Sequence, residues 1–499
     1  MAGLQVHRHE GQPIAKEPPH GPLHLSMIKR IWHSPTLNTW ASFFGRTLSA
    51  VLVLPLVLKR FPVEDFNVWS LFSTLLGLQL LVDMGFCVTF VRAIAFSLAG
   101  ADSPDDFQRN AAVRATTGPN WELLSRVVGS MRFIYRRLAL LYFLLLAVVG
   151  SVALARPIGL SPDPNSAWLA WALVVATGYL NLRANYLGVL LQGLNEIALV
   201  RRWEAITSVA SVLTGFAVLL LGGDLLALVA ATQAWSVVAA LRNRWLCQQV
   251  ADRRFARLPA ASKDPQMLAT LWPATWRSGI GVLMSFGLIQ ATGLVNAQFA
   301  TAANSASYML CLRIMQLISS FSQAPFYSKL SLLPRLRAEG NLKGLIQVAG
   351  DGMRKSLWTY ALGFAAAGLL GPLILARLRS NVEFPPPVFW VTLGAMFFVE
   401  RYAAMHLHLY STTNHIITHI ANGVTGLLVI GFTLLLLPAL KLLALPVGLL
   451  AGYLGFYSWY PTRFSYREFK LRFWPFESRT SLGPLACFLA ASAWMIAAG

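Results

Sequence analysis

Charge is scarce in this chain. Asp, Glu, Lys and Arg make up 12% of its 499 residues, against about 25% in a soluble globular domain. A soluble fold is excluded on that ground, because 56% of the residues are hydrophobic and the mean hydropathy is +0.55. Cysteine is also rare. The four present, Cys87, Cys247, Cys311 and Cys487, have neither paired nor metal-ligand spacing, so no disulfide framework or zinc site is expected. The polar, proline-rich opening "HRHEGQPIAKEPPHGP" lacks an apolar core and a small-residue cleavage site, so no cleaved signal peptide is expected and internal helices would drive insertion. No G-x-x-x-x-G-K-[ST] loop is present for ATP, and no G-x-S-x-G nucleophile.

Acidic residues are outnumbered, 21 against 41 Lys plus Arg, for a formal charge of +20. Spread over short connections, this excess reads as membrane topology rather than nucleic-acid binding. Apolar runs of about 20 residues place spans near 36–58, 66–96, 134–155, 167–190, 205–222, 224–242, 277–300, 305–332, 355–376, 386–410, 416–438 and 440–460, with a weaker candidate at 482–498. With the N-terminus cytoplasmic, the inner connections hold 24 Lys and Arg and the outer ones 6, counting Lys441 at the edge of the last, as the positive-inside rule requires. The outer connections are too short for a folded domain, and the inner loops 97–133, 243–276 and 333–354 are modest.

The expected fold is therefore all-α: a polytopic membrane protein of two parallel six-helix bundles around a central cavity, plus a candidate thirteenth helix. Its parts would be a cytoplasmic tail (1–35), an N-terminal bundle (36–242), a cytoplasmic linker (243–276), a C-terminal bundle (277–460) and a basic segment with the extra helix (461–499). A shift of 239 positions lays "EDFNVWSLFSTLLGLQLLVDMGFCVTFVRAIA" over "ANSASYMLCLRIMQLISSFSQAPFYSKLSLLP", with Trp69 on Tyr308 and the polar break at Asp83 and Gly85 on Ser322 to Pro325. Repeats separated by an even number of spans point the same way across the membrane.

The first of these stretches resembles the second helix of polysaccharide flippases, a branch of the multidrug/oligosaccharidyl-lipid/polysaccharide exporter superfamily. The spacing of Asn38, Arg46 and Pro55 resembles that family's first helix. "LLQGLNEIALVRRWEAITSVASVLTGFAVLLLGGDLLALV" is similar to its fourth-to-sixth helix region, and "QAPFYSKLSLLPRLRAEGN" to the end of its eighth. The final third matches only as alternating apolar helices, and a thirteenth helix departs from the family's usual twelve or fourteen. The resemblance implies a V-shaped pair of bundles working by alternating access. It also implies an isoprenoid diphosphate-linked oligosaccharide cargo, moved from the cytoplasmic to the outer leaflet of a bacterial inner membrane for surface polysaccharide (O-antigen type) biosynthesis. Membrane lipids and a polysaccharide polymerase complex would be partners; no cofactor and no nucleic acid are implied.

Charges inside the membrane are functional candidates because each costs about 2.5–3.5 kcal/mol at a helix centre on insertion scales. The arginines Arg46, Arg183, Arg313 and Arg401 could receive the anionic headgroup, since a guanidinium stays ionised and fits phosphate oxygens bidentately. Arg92 and Arg277 lie near a helix end and can snorkel. Asn38, Asn181 and Gln290, with Asn185, Tyr186 and Gln316, are candidate sugar contacts or interhelical hydrogen-bond partners. Asp83 and Glu400 are candidate coupling-ion sites; the structural alternatives are a helix cap or break beside Gly85 and pairing with a basic neighbour. His415 and His419 have i, i+4 spacing, but no further ligand completes a metal site. Trp32, Trp40, Trp69, Trp168, Trp272, Trp358 and Trp474 read as an interfacial belt, and Pro55, Gly85, Pro325, Pro438 and Pro446 as hinges or kinks. The competing functions are a cation-coupled drug or metabolite exporter of the same superfamily, and an integral-membrane glycan polymerase or ligase. The short outer connections speak against the enzyme.

Overall fold

The computed structural model describes residues 35–104, 118–250, 253–255, 259–330, 332–413, 415 and 417–498, with side chains described from residue 48 onward except at 274, 338 and 498. In the first half α1 (Pro35–Arg60) is followed by α2 (Val63–Gly77), α3 (Gln79–Asp83) and α4 (Phe86–Leu98). Next come α5 (Trp121–Leu144), α6 (Ser151–Gly159), α7 (Pro164–Gly193), α8 (Ile197–Leu220) and α9 (Leu225–Gln249). The second half holds α10 (Pro265–Val282), α11 (Leu288–Phe299), α12 (Ala302–Tyr327), α13 (Leu332–Ala338), α14 (Leu342–Leu378) and α15 (Pro387–Ser411). It closes with α16 (Thr418–Leu440), α17 (Ala444–Gly452), α18 (Tyr460–Phe469), α19 (Phe473–Thr480) and α20 (Leu482–Ala498). Turns of π-helix join α5 to α6, α10 to α11 and α17 towards α18, widening a helix locally without ending it.

This is an all-α polytopic membrane protein. Among the described residues eight helical segments are long and apolar enough to cross a membrane, or nine if α19 and α20, bent by 57°, count as one. One of the eight, Thr418–Phe469, is 52 residues long and folds back on itself, because α16 and α17 pack side by side. Helices α7 and α12, 30 and 26 residues long, are not among these apolar segments. Asn181, Arg183 and Asn185 lower the hydropathy of one; Arg313, Gln316 and Gln323 lower that of the other.

The helices overshoot the apolar runs. The span expected at 134–155 begins at Trp121, and that expected at 355–376 begins at Leu342. Helix α14, with 37 residues, is about 55 Å long at 1.5 Å per residue, against a hydrocarbon core of about 30 Å. Much of what the sequence reads as interior loop at 97–133, 243–276 and 333–354 is therefore helix projecting from the basic face. Hydropathy ends where charge begins, but a backbone continues until it is capped. Asn120, Asp163, Asp224, Asp264, Thr301 and Asn341 each accept the backbone N–H of the third residue onward, satisfying a group the helix start leaves open.

In the first half α8 runs along α1, and α7 packs between α5, α9 and α4. In the second, α12 lies on α14, α10 on α16, and α15 against α12, α17 and α18. The halves meet through α2 against α11 and α12, α6 against α11, and α3 to α5 against α10. Helix α20 docks on α14, with Phe488 4.5 Å from Phe364 and 5.3 Å from Phe398 between ring centroids.

The second span is not one rod. Met84 and Gly85 adopt left-handed backbone, φ 50° and 80°, and split α3 from α4. A Cβ at Gly85 would lie 2.5 Å from Cβ of Ser278 on α10, so both backbone and contact call for glycine. The equivalent place in the proposed repeat is unbroken, since Pro325 lies inside α12.

Candidate functional site

The junction of the two halves is polar at several levels. Ser305 on α12 donates to Oδ1 of Asn67 on α2 (2.9 Å), both buried. Gln298 on α11 donates to the carbonyl of Ala153 on α6, and Arg156 to that of Ala300 (3.3 Å). On the same side Asn381 binds the end of α1, its N–H to the Leu58 carbonyl (2.9 Å) and its amide to that of Phe61 (2.8 Å). These contacts join the halves at the face opposite the basic one. At the basic face Arg126 of α5 makes a two-pronged contact with Oδ2 of Asp264, the cap of α10 (3.1 and 2.8 Å). Burial raises the Asp264 carboxyl, but the Met267 N–H and the Arg126 guanidinium outweigh it and hold the group below the usual carboxylate range.

Arg313 occupies the middle of this junction. Its guanidinium carbon lies 3.8 Å from the ring centroid of Trp69, and Nη2 donates to the Ser73 hydroxyl (3.2 Å), both on α2. Its Nη1 is buried with no hydrogen-bond partner among the described residues. Trp69 is therefore half-buried beneath a cation, a correction to its reading as a belt residue. Trp168, Trp272, Trp358 and Trp474 remain exposed. Next to Arg313, Gln316 donates to Oε1 of Gln290 (3.0 Å). A Cβ at Gly77 of α2 would lie 3.2 Å from the Gln290 amide nitrogen, so glycine there lets α2 approach.

The other arginines stand elsewhere. Arg401 is 1% exposed inside the second half, where Nη2 donates to the Ser319 hydroxyl (2.6 Å) and meets Glu400 at 3.3 Å. Its Nε and Nη1 have no partner among the described residues. Glu400 thus sits beside its sequence neighbour, as the pairing alternative has it. Arg183 is exposed on α7, bonded to the Tyr179 hydroxyl (3.4 Å), and lines a groove between α5, α7 and α9. The arrangement of Arg183, Arg313 and Arg401 is one of three separate environments. Asn38 and Arg46 lie on α1, but their side chains fall outside the described residues. Asn181 is half-buried on α7.

Asp83 is engaged structurally. Oδ1 accepts from the Tyr135 hydroxyl (2.6 Å) and Oδ2 from the Cys87 N–H (3.2 Å), so the carboxylate caps α4 across the break. His415 bonds the Tyr410 hydroxyl (2.8 Å).

A buried carboxylate escaped the sequence reading. Glu477 of α19 is 2% exposed and accepts from Tyr402 of α15 (2.8 Å), from Tyr466 of α18, and from Thr480 and Ser481. His406 Nε2 lies 3.8 Å from it. The segment "FWPFESRT" carries no signal for this beyond one acid among aromatics.

No known protein-family model matches the sequence, and no curated protein matches it. Solved structures do. An inward-facing multidrug resistance MATE family transporter of the MOP superfamily aligns over 85% of this chain and 98% of its own, with TM-score 0.57 and 14% identity. The lipid II flippase MurJ, in an inward closed conformation, aligns over 92% of this chain and 90% of its own, with TM-score 0.57 and 12% identity. A MOP superfamily transporter from Pyrococcus furiosus aligns over 89% and 98%, with TM-score 0.51 and 13% identity. At such identities the likeness is one of fold, and the chain has the fold of the MOP superfamily transporters.

Proposed function

We propose that this protein is an alternating-access flippase carrying an isoprenoid diphosphate-linked oligosaccharide from the cytoplasmic to the outer leaflet, with the basic face cytoplasmic. The observation that carries the reading is Arg313. A guanidinium in the middle of the junction between the halves, held by an aromatic face and a hydroxyl, keeps one buried nitrogen free for an acceptor. A diphosphate supplies acceptors of matching charge and geometry. The fold shared with a lipid II flippase adds support. Arg46 is proposed as a second headgroup contact, and Gln290, beside Gly77 at the junction, as a sugar contact.

Such a carrier moves its cargo without breaking a bond in it. Arg313 would draw the diphosphate from the leaflet and share its charge while water is stripped away. Rocking of the halves about α2, α11 and α12 would then re-expose it. The test is to delete the protein and assay which leaflet accumulates lipid-linked oligosaccharide. Accumulation on the cytoplasmic side supports the proposal; unchanged surface glycan sinks it. Loss of cation-coupled drug efflux instead would favour the exporter.

A further inference from the structure

In the first half a groove of about 380 Å³ lies between α5, α7 and α9. Arg132, Arg136, Arg183 and Arg244 line it, and no carboxylate is among the lining residues. Arg132 is fixed by the Pro259 carbonyl and lies 5.9 Å from the Tyr186 ring centroid. The other three are exposed, and among the described residues none has an ion pair.

Arg183 lies about 15 Å, and Arg244 about 8 Å, before the basic-face ends of their helices, at 1.5 Å per residue. Trp245, beside Arg244, is 51% exposed and packs edge-on against Trp203, with centroids 6.3 Å apart; exposed indoles of this kind settle at the headgroup level. Leu180 and Leu241, 44% and 63% exposed, continue the groove as an apolar wall. Arg136, Arg183 and Arg244, beside exposed leucines and with no carboxylate partner among the described residues, suit an anion that the membrane itself supplies.

We infer that this groove binds an anionic phospholipid of the basic-face leaflet. Diphosphatidylglycerol fits best, because its two phosphates can bridge Arg136, Arg183 and Arg244 while its acyl chains lie along Leu180 and Leu241. The site lies apart from Arg313 and does not depend on which cargo is carried. Arg183, a cargo contact when judged from sequence, is here a lipid ligand.

The test titrates purified full-length protein in detergent with diphosphatidylglycerol, phosphatidylcholine, a polyprenyl diphosphate or inorganic diphosphate, and reads bound species by native mass spectrometry. Diphosphatidylglycerol is expected to bind at least about tenfold tighter than phosphatidylcholine, with about fivefold lost for each arginine replaced by glutamine at 136, 183 or 244. Arg472→Gln with Arg479→Gln, at a separate basic pocket, should leave binding unchanged. Equal binding of both phospholipids, or an unaltered preference in R136Q/R183Q/R244Q, overturns the inference. Equal displacement by inorganic diphosphate, or preferential displacement by the polyprenyl diphosphate, also overturns it, since the site would then serve a soluble anion or the cargo. Circular dichroism verifies folding; if the triple variant does not fold, the single variants and Arg183→Lys, which should keep most of the affinity, decide the matter.

Discussion

Arg313 and Trp69 belong to different halves and are 244 positions apart in the numbering, yet they form one contact. Arg313→Ala is expected to abolish complementation of a deletion strain at unchanged expression, whereas Arg313→Lys keeps part of it, because lysine offers charge without the planar fork. Trp69→Leu should weaken transport less than Arg313→Ala, a cation–π contact being worth about 0.5–2 kcal/mol. The same complementation assay applies to Arg46→Ala and Arg46→Lys; full activity of the alanine variant would remove Arg46 from the proposed pathway. Hydropathy singled out Arg313 and Arg401 as costly and therefore meaningful. It carried no information on their partners, because a side chain's neighbours depend on how its helix is rotated against others.

At the scale of elements, the broken second span and the docked last helix each rest on a buried carboxylate. Asp83 caps α4 while Gly85 turns the chain against Ser278. Gly85→Ala should destabilise the protein by about 2–4 kcal/mol, combining left-handed strain with overpacking. Adding Ser278→Gly should recover only the packing part, leaving the backbone strain visible in thermal melts of the detergent-solubilised protein. Glu477 gathers Tyr402, Tyr466 and Ser481 around α19. Glu477→Ala leaves those hydroxyls without their acceptor and is expected to cost about 3–5 kcal/mol, with faster proteolysis near α20 as the local readout. The break at Gly85 was legible in sequence as a polar interruption followed by glycine. Glu477 was not, since its partners arrive from α15 and α18.

For the whole molecule, the Arg126–Asp264 pair ties α5 to the start of α10 at the basic face. The Asp264 carboxyl is held below its ordinary value, so the unfolded or detached state binds the proton more readily. The contact is therefore fully formed above the ordinary Asp range and is lost as pH falls through the lower folded value. Spin labels on α5 and α10 should show a fixed distance near neutral pH and a broadened one in acid; Asp264→Asn should remove that acid transition. Orientation has its own test. Cysteines placed in the 379–386 connection should react with an impermeant reagent added outside, and cysteines at 253–255 only after the membrane is opened.

That the chain is helical, lies in a membrane and holds a few expensive charges there follows from its residues alone. Each of these follows from terms that act residue by residue: transfer into hydrocarbon, backbone hydrogen bonding within a segment, and capping by the next side chains. Tertiary structure decided where those charges point. Arg313 faces the junction, Arg401 the interior of the second half, and Arg183 a groove between α5, α7 and α9. The three are alike in sequence as polar breaks in apolar helices. What separates them is packing between residues far apart in the chain, which sets the rotation of every helix and cannot be read from any one of them.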